Sequence, residues 1–163
     1  MRVLYLDFDG VLHHSEVYWT PKRGIFIKDA PGRSLFEWMP VLEQLLEPHP
    51  DVKIVLSTSW CVVRSFNFAK KQLSTGLRER VIGATYHRRH MPLDSFDMLG
   101  RGGQVIVDTK RRGLAREEWV ALDDDWARWP DWCYEGNFIG TAGETGLSDP
   151  AVQAQVRAWL ERF

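Results

Sequence analysis

Asp7 and Asp9 stand one residue apart at the end of the apolar run Val3-Leu4-Tyr5-Leu6, and Gly10 follows them directly. Desolvating unpaired carboxylates is costly, so a buried strand does not end this way for packing alone. The pattern suits a strand that delivers a carboxylate to a metal ion or a substrate while the glycine lets the chain turn sharply. Two further apolar runs end in polar groups: Val52–Leu56 in Ser57-Thr58-Ser59, and Trp119–Leu122 in Asp123-Asp124-Asp125. Facing acidic strand ends repel one another unless a cation lies between them. Carboxylate oxygens favour a hard ion that keeps its waters, which makes magnesium the expected one. Hydroxyls and amides at the Thr58-Ser59-Trp60 turn suit an anionic oxygen. One basic side chain would complete a phosphate site by balancing the carboxylates and the phosphoryl group.

The elements that must position these groups alternate along the chain. Residues 2–7 read as a buried strand and residues 13–33 as a loop or hairpin excursion. Leu35, Phe36, Met39, Leu42, Leu45 and Leu46 have helical spacing, which predicts a helix over 34–47, closed by Pro48 and Pro50. A strand follows over 52–56, then a helix through Leu73 ended by Gly76, then a short strand over 81–85. Residues 101–112 predict a helix stopped by Gly113. Strands are expected over 119–122 and 137–141, and a closing amphipathic helix over 149–162, begun by Asp149-Pro150. Alternating strands and helices imply an α/β three-layer sandwich with a Rossmann-like parallel sheet. Ligands bind such sheets at the strand carboxyl ends, where Asp7, Ser57/Thr58 and Asp123/Asp124 all fall.

A chain of 163 residues suits one domain over 1–163 with a sizeable core. No apolar run is long enough to span a bilayer, and Met1-Arg2 leads straight into a strand without a signal peptide. Cys61 and Cys133 are too few for a disulfide framework or a thiolate metal site. The expected setting is cytoplasmic, with both thiols reduced. A net charge of −1 argues against nucleic-acid binding by bulk electrostatics but allows a local basic strip. His87-Arg88-Arg89-His90 is the densest basic run and Lys110-Arg111-Arg112 the second. Each reads as solvated surface or as a strip that steers a phosphate backbone or nucleotide. Five of eight tryptophans, Trp119, Trp126, Trp129, Trp132 and Trp159, fall in the last third. Core and rim packing is the first reading, and a stacking surface for a base the second. His13 and His14 lack further metal ligands and read as loop histidines near the site mouth. Tyr18 and Trp19, in the excursion, suit either packing or stacking on a substrate ring.

Leu6-Asp7-Phe8-Asp9-Gly10-Val11-Leu12 resembles the first motif of the haloacid dehalogenase (HAD) superfamily of phosphohydrolases. Val55-Leu56-Ser57-Thr58 resembles its second motif, and Val120-Ala121-Leu122-Asp123-Asp124 its fourth. Ser57-Thr58-Ser59-Trp60, Leu122-Asp123-Asp124-Asp125-Trp126 and Gly146-Leu147-Ser148 are similar to a small-capped group associated with RNA-repair proteins. Arginine often follows the Ser-Trp pair in that group; Cys61 stands there here. The resemblance implies that Asp7 is the nucleophile, forming an aspartyl-phosphate, and that Asp9 is the general acid and base. It implies magnesium held by Asp7, the Asp9 carbonyl and an acid of the Asp123-Asp124 pair, with Asp124 the first choice. Thr58 or Ser57 would bond the phosphoryl oxygen, since strand parity points only one inward. The basic third motif would be Arg101, at the start of a helix antiparallel to the strands, or Lys110, lysine being the commoner residue there. Residues 13–33 would form a flap. No insertion is long enough for a large cap, which favours a macromolecular substrate or a cap from another subunit. The expected substrate is a phosphorylated small molecule such as a nucleotide, or a nucleic-acid end. Oligomeric state is open. A phosphoacceptor signalling domain and a silent binding module are the rivals. The late position of the adjacent acids disfavours the first, and the presence of both Asp7 and Asp9 disfavours the second.

Overall fold

Period-two alternation in three central strands sorts their side chains onto two faces, and each face acquires its own core. In the computed structural model, which describes residues 1–162, strand β1 spans Arg2–Leu6. The excursion after it holds an antiparallel hairpin, β2 (Val17–Thr20) and β3 (Gly24–Ile27). Helix α1 (Met39–Leu46), strand β4 (Val52–Leu56), short helices α2 (Trp60–Val63), α3 (Phe66–Lys71) and α4 (Thr75–Arg78), and strand β5 (Val81–Ala84) follow. Then come α5 (Leu93–Met98), α6 (Gly100–Arg112), β6 (Trp119–Asp123), β7 (Phe138–Gly140) and α7 (Pro150–Leu160). No helix among the described residues is long and apolar enough to cross a membrane.

The main sheet is five-stranded, in the order β5-β4-β1-β6-β7, and every pairing is parallel. The strand order reverses direction at β1, so its carboxyl end is the switch point where such sheets bind ligands. Leu4, Leu6, Ile54, Leu56, Val120 and Leu122 face a core shared with Leu42 of α1 and Val152, Val156 and Trp159 of α7. Val3, Tyr5, Val55, Trp119 and Ala121 face the other core, where Val105 of α6 packs with Trp129 and Phe138. These two cores make the three-layer α/β sandwich expected from the alternation of elements.

Several boundaries differ from the sequence reading, each for a local reason. The helix expected over 34–47 begins only at Met39. Phe36 takes a left-handed conformation (φ 59°) with its ring against Phe8, His13 and Trp60, so the chain cannot be helical there. The helix expected to run from the second strand through Leu73 is broken after Val63, because the Ser65 hydroxyl caps a new helix through the Phe68 amide. Gly76 lies inside α4 rather than ending a helix, and α5 was not anticipated. The first strand stops at Leu6, leaving Asp7 just beyond it. The closing helix is as expected at its start, where the Asp149 carboxylate accepts from the Ala151 amide.

Helix α6 ends at Gly113, whose backbone is left-handed (φ 67°) and whose amide closes the last turn on Lys110. There is open space around it, so the cost of a side chain would be conformational only. Gly113→Ala is expected to lower unfolding free energy by about 1–2 kcal/mol, read from urea melts. An unchanged midpoint would show that this cap does not define the end of α6.

Candidate active site

Register determines which strand-end groups meet. Leu6 pairs with Leu56 on one side and Leu122 on the other, so the next row across the sheet is Ser57, Asp7 and Asp123. By parity this row points to the face covered by α6. All three residues are buried. Arg101, in the first turn of α6, reaches the whole row. Its Nη1 donates to the Ser57 carbonyl and, at 3.3 Å, to Ser57 Oγ. The same nitrogen lies 3.8 Å from Asp7 Oδ1, while Nε lies 3.5 Å from Asp123 Oδ2. Farther along α6, Asp108 accepts from the Tyr5 hydroxyl at 2.8 Å. The helix therefore runs antiparallel to the strands and is tied to the sheet at both ends.

Asp124 joins the row by crossing over Gly10. A Cβ on Gly10 would stand 2.1 Å from Asp124 Oδ2, and Gly10 also has φ 76°. Only glycine satisfies both the space and the backbone at this point. Carboxylate oxygens of Asp7, Asp123 and Asp124 then lie within 4.8 Å of one another. Burial, with Asp123 close by, pushes Asp7 well above the ordinary carboxylate range. Burial raises Asp123 to about 6 despite the Arg101 guanidinium. Burial and Asp7 together raise Asp124 to about 7. Burial would lower Arg101, but the carboxylates, Asp7 first, outweigh it and hold the guanidinium firmly protonated. One cation thus faces three crowded acids. Their shared unfavourable charge and hard oxygen donors fit a divalent metal ion, which Asp7, Asp123 and Asp124 could hold.

Asp9 is held differently. Its Oδ1 accepts from Trp60 Nε1 at 2.8 Å and lies 2.8 Å from His13 Nε2. His13 Nδ1 accepts the Phe36 backbone N–H at 3.1 Å. That bond occupies the Nδ1 lone pair, so the ring proton of neutral His13 is on Nε2 and points at Asp9. Two donors converge on Oδ1, and no bond to a described residue restrains Oδ2. His13 is fully buried; it is part of the site's inner wall rather than a loop histidine at the mouth.

Of the remaining expected residues, Thr58 lines a cavity beside Arg101 and accepts the Trp60 amide at 3.3 Å. Lys110 is exposed and nine residues beyond Arg101, about 13 Å along the helix. The structure therefore does not bring it to the acids, and the neighbouring Arg111 and Arg112 pair with Asp108. Trp119, Trp129 and Trp159 are buried, whereas Trp126 is 56% exposed. Cys61 is a buried free thiol, raised by burial to about 12, and so an inert packing group. Sequence reasoning placed Trp60 in the anion-binding turn through its backbone amide but did not anticipate that its indole N–H holds Asp9. The place of Trp60 directly after the Ser57-Thr58-Ser59 turn was the available signal.

A family model described as the HAD domain in Swiss Army Knife RNA repair proteins matches residues 3–152. No curated protein and no solved structure matched the chain.

The raised acids make stability depend on pH in a definite direction. Asp123 and Asp124 release their protons near pH 4 when unfolded but only at about pH 6 and about pH 7 when folded, and Asp7 shifts in the same direction. Their contribution is therefore complete below pH 4 and is lost as pH rises through about 7. In EDTA, the melting temperature is expected to fall between pH 5 and pH 8. Added magnesium chloride should restore it at pH 8 far more than at pH 5, where protons compete for the same oxygens. A flat profile without metal would show that the acids are not crowded as described.

Proposed function

The chain belongs to the family of HAD domains in Swiss Army Knife RNA repair proteins, and we propose that it is a magnesium-dependent phosphomonoesterase acting through an aspartyl-phosphate. Family membership supports a phosphohydrolase-type function. The observation that carries the finer reading is the division of labour between two neighbouring carboxylates. Asp7 sits in the charged row with Arg101, while Asp9 is held by one oxygen and has the other free.

Asp7 Oδ1 accepts the Phe8 amide at 2.8 Å, which orients the carboxylate at the switch point. An Asp7 oxygen forms the new bond to phosphorus as the ester oxygen leaves. Asp9 Oδ2 gives that oxygen its proton. A water molecule then attacks the aspartyl-phosphate, Asp9 takes the water's proton, and inorganic phosphate leaves with Asp7 restored. Ser57 and Thr58 supply hydroxyls, and Arg101 supplies fixed positive charge beside the transferring group. Magnesium held by Asp7, the Asp9 carbonyl and Asp124, with Asp123 alongside, would neutralise charge that develops on the phosphoryl oxygens. The His13 N–H and the Trp60 N–H act as positioning groups that hold Oδ1 and so aim Oδ2. The substrate class we favour is a phosphorylated nucleotide or nucleic-acid end.

Two measurements test this. Phosphate release should require magnesium and should fall more than about a hundredfold in Asp7→Asn. Assayed on nucleoside monophosphates, sugar phosphates, an aryl phosphate and end-phosphorylated oligonucleotides, no metal-dependent release from any would end the hydrolase reading. A stable phosphorylated Asp7 would instead indicate a phosphoacceptor. The second measurement varies the leaving group. In His13→Ala, kcat/KM for an alkyl phosphate, which needs protonation on departure, should fall about a hundredfold. For dinitrophenyl phosphate, which leaves without a proton, it should change little. Equal losses on both would reduce His13 to a packing residue.

A further inference from the structure

The catalytic cavity does not end at the acids. A space of about 260 Å³ opens at Thr58 and Arg101, with Val62, Val63 and Phe96 also in its wall. A second space, of about 590 Å³, shares Val62 and Val63 and extends to Arg64, Phe66, Tyr86, Arg88 and Arg89. Tyr86 of the outer space packs on Phe96 of the inner one, their ring centroids 4.9 Å apart. The two spaces therefore adjoin along α2 as the inner and outer parts of a groove, with Val62 and Val63 common to both and the ring pair beside them.

Charge is distributed unevenly along that groove. The inner part mixes signs, with Arg101 and Arg128 facing Asp97 and Asp125. The outer part has three arginines in its wall and no carboxylate. Arg64 lies over the Phe68 ring at 3.9 Å. Arg88 and Arg89 are exposed and form no ion pair among the described residues. Val62, Val63, Phe66 and Tyr86 give the floor between them an apolar and aromatic character. A phosphorylated mononucleotide bound at Asp7 would leave this outer half unused.

Unpaired arginines beside half-buried rings, Phe66 and Tyr86, suit a ligand that repeats an anionic group and presents flat bases. A base can reach Phe66 or Tyr86 only from an unstacked strand, so a duplex does not fit this chemistry. We propose that the outer groove is a track for single-stranded nucleic acid. The strand's terminal phosphate lies at Asp7, its adjoining nucleotides cross Val62 and Val63, and its next phosphodiesters pair with Arg88 and Arg89. The proposal rests on the phosphomonoesterase reading for the placement of the terminal phosphate. It goes further in naming a polymer and the residues that grip it.

The test uses the full chain and a fluorescent RNA hexamer phosphorylated at one end. Its binding to Asp7→Asn is followed by anisotropy across a salt series, with and without Arg88→Ala and Arg89→Ala together. Removing two phosphate contacts should weaken hexamer binding by about tenfold and reduce the salt slope by about 1.4. In the otherwise native chain, the same pair of substitutions should leave mononucleotide turnover unchanged and lower kcat/KM only on the hexamer. Unchanged affinity and slope would overturn the track, as would equal competition by an acidic peptide of the same charge. If the native chain releases no phosphate from either substrate, the hydrolase reading fails, while the anisotropy series still decides the track by itself.

Discussion

One guanidinium against a row of buried acids is the constraint on which the rest of the structure turns. Asp7 and Asp123 share a register level and a face of the sheet, and Asp124 is folded back onto them over Gly10. Left alone, three carboxylates in so small a volume would repel strongly or hold protons. Arg101 offsets part of that repulsion, and it is there because α6 begins at the strand carboxyl ends and packs on the face to which the row points. The compensation is incomplete, as the upward shifts of all three acids show. The residual imbalance is what a cation placed among the three carboxylates would relieve.

A second, quieter device separates the two aspartates of the first strand end. Asp7 is placed among charges, whereas Asp9 is placed among neutral donors, the imidazole of His13 and the indole of Trp60. The same aromatic group that holds Asp9 also packs Phe8 and Phe36 around it, with ring centroids 4.8 to 5.7 Å apart. Two carboxylates two residues apart can take different chemical roles because β1 ends at Leu6, and the turning chain beyond it no longer holds i and i+2 on one face.

Strand ends were legible in the sequence because apolar runs stopping at Asp7, Ser57 and Asp123 leave a period-two signal with an abrupt polar end. Arg101 was accessible through helix direction, and Lys110 fell away once the length of α6 separated it from the sheet edge. The choice between Ser57 and Thr58 was not legible, since it depends on pairing register rather than on residue type; the structure puts Ser57 in the row and Thr58 in the cavity wall. Nor was the hold on Asp9. His13 and Trp60 are 47 residues apart in the chain, and no local pattern announces that their rings will meet. The late start of α1 has the same origin: helical spacing from Leu35 onward was real, but the bond from Phe36 to His13 overrides it.

His13 also closes a loop. Residues 14–35, including the β2–β3 hairpin, leave the body just after His13 and return at Phe36, whose amide is bound to the His13 ring. The backbone bond from Ser15 to Gly143 at 2.9 Å ties down the outgoing limb. Closure entropy grows only with the logarithm of length, so doubling such an excursion costs about 0.6 kcal/mol. The hairpin tip around Lys22 and Arg23 is exposed. The excursion therefore leaves and re-enters the body through one clasp, and a change in its length carries little entropic cost at that clasp. A lineage could lengthen, shorten or replace the hairpin while both limbs stay fastened at the same imidazole.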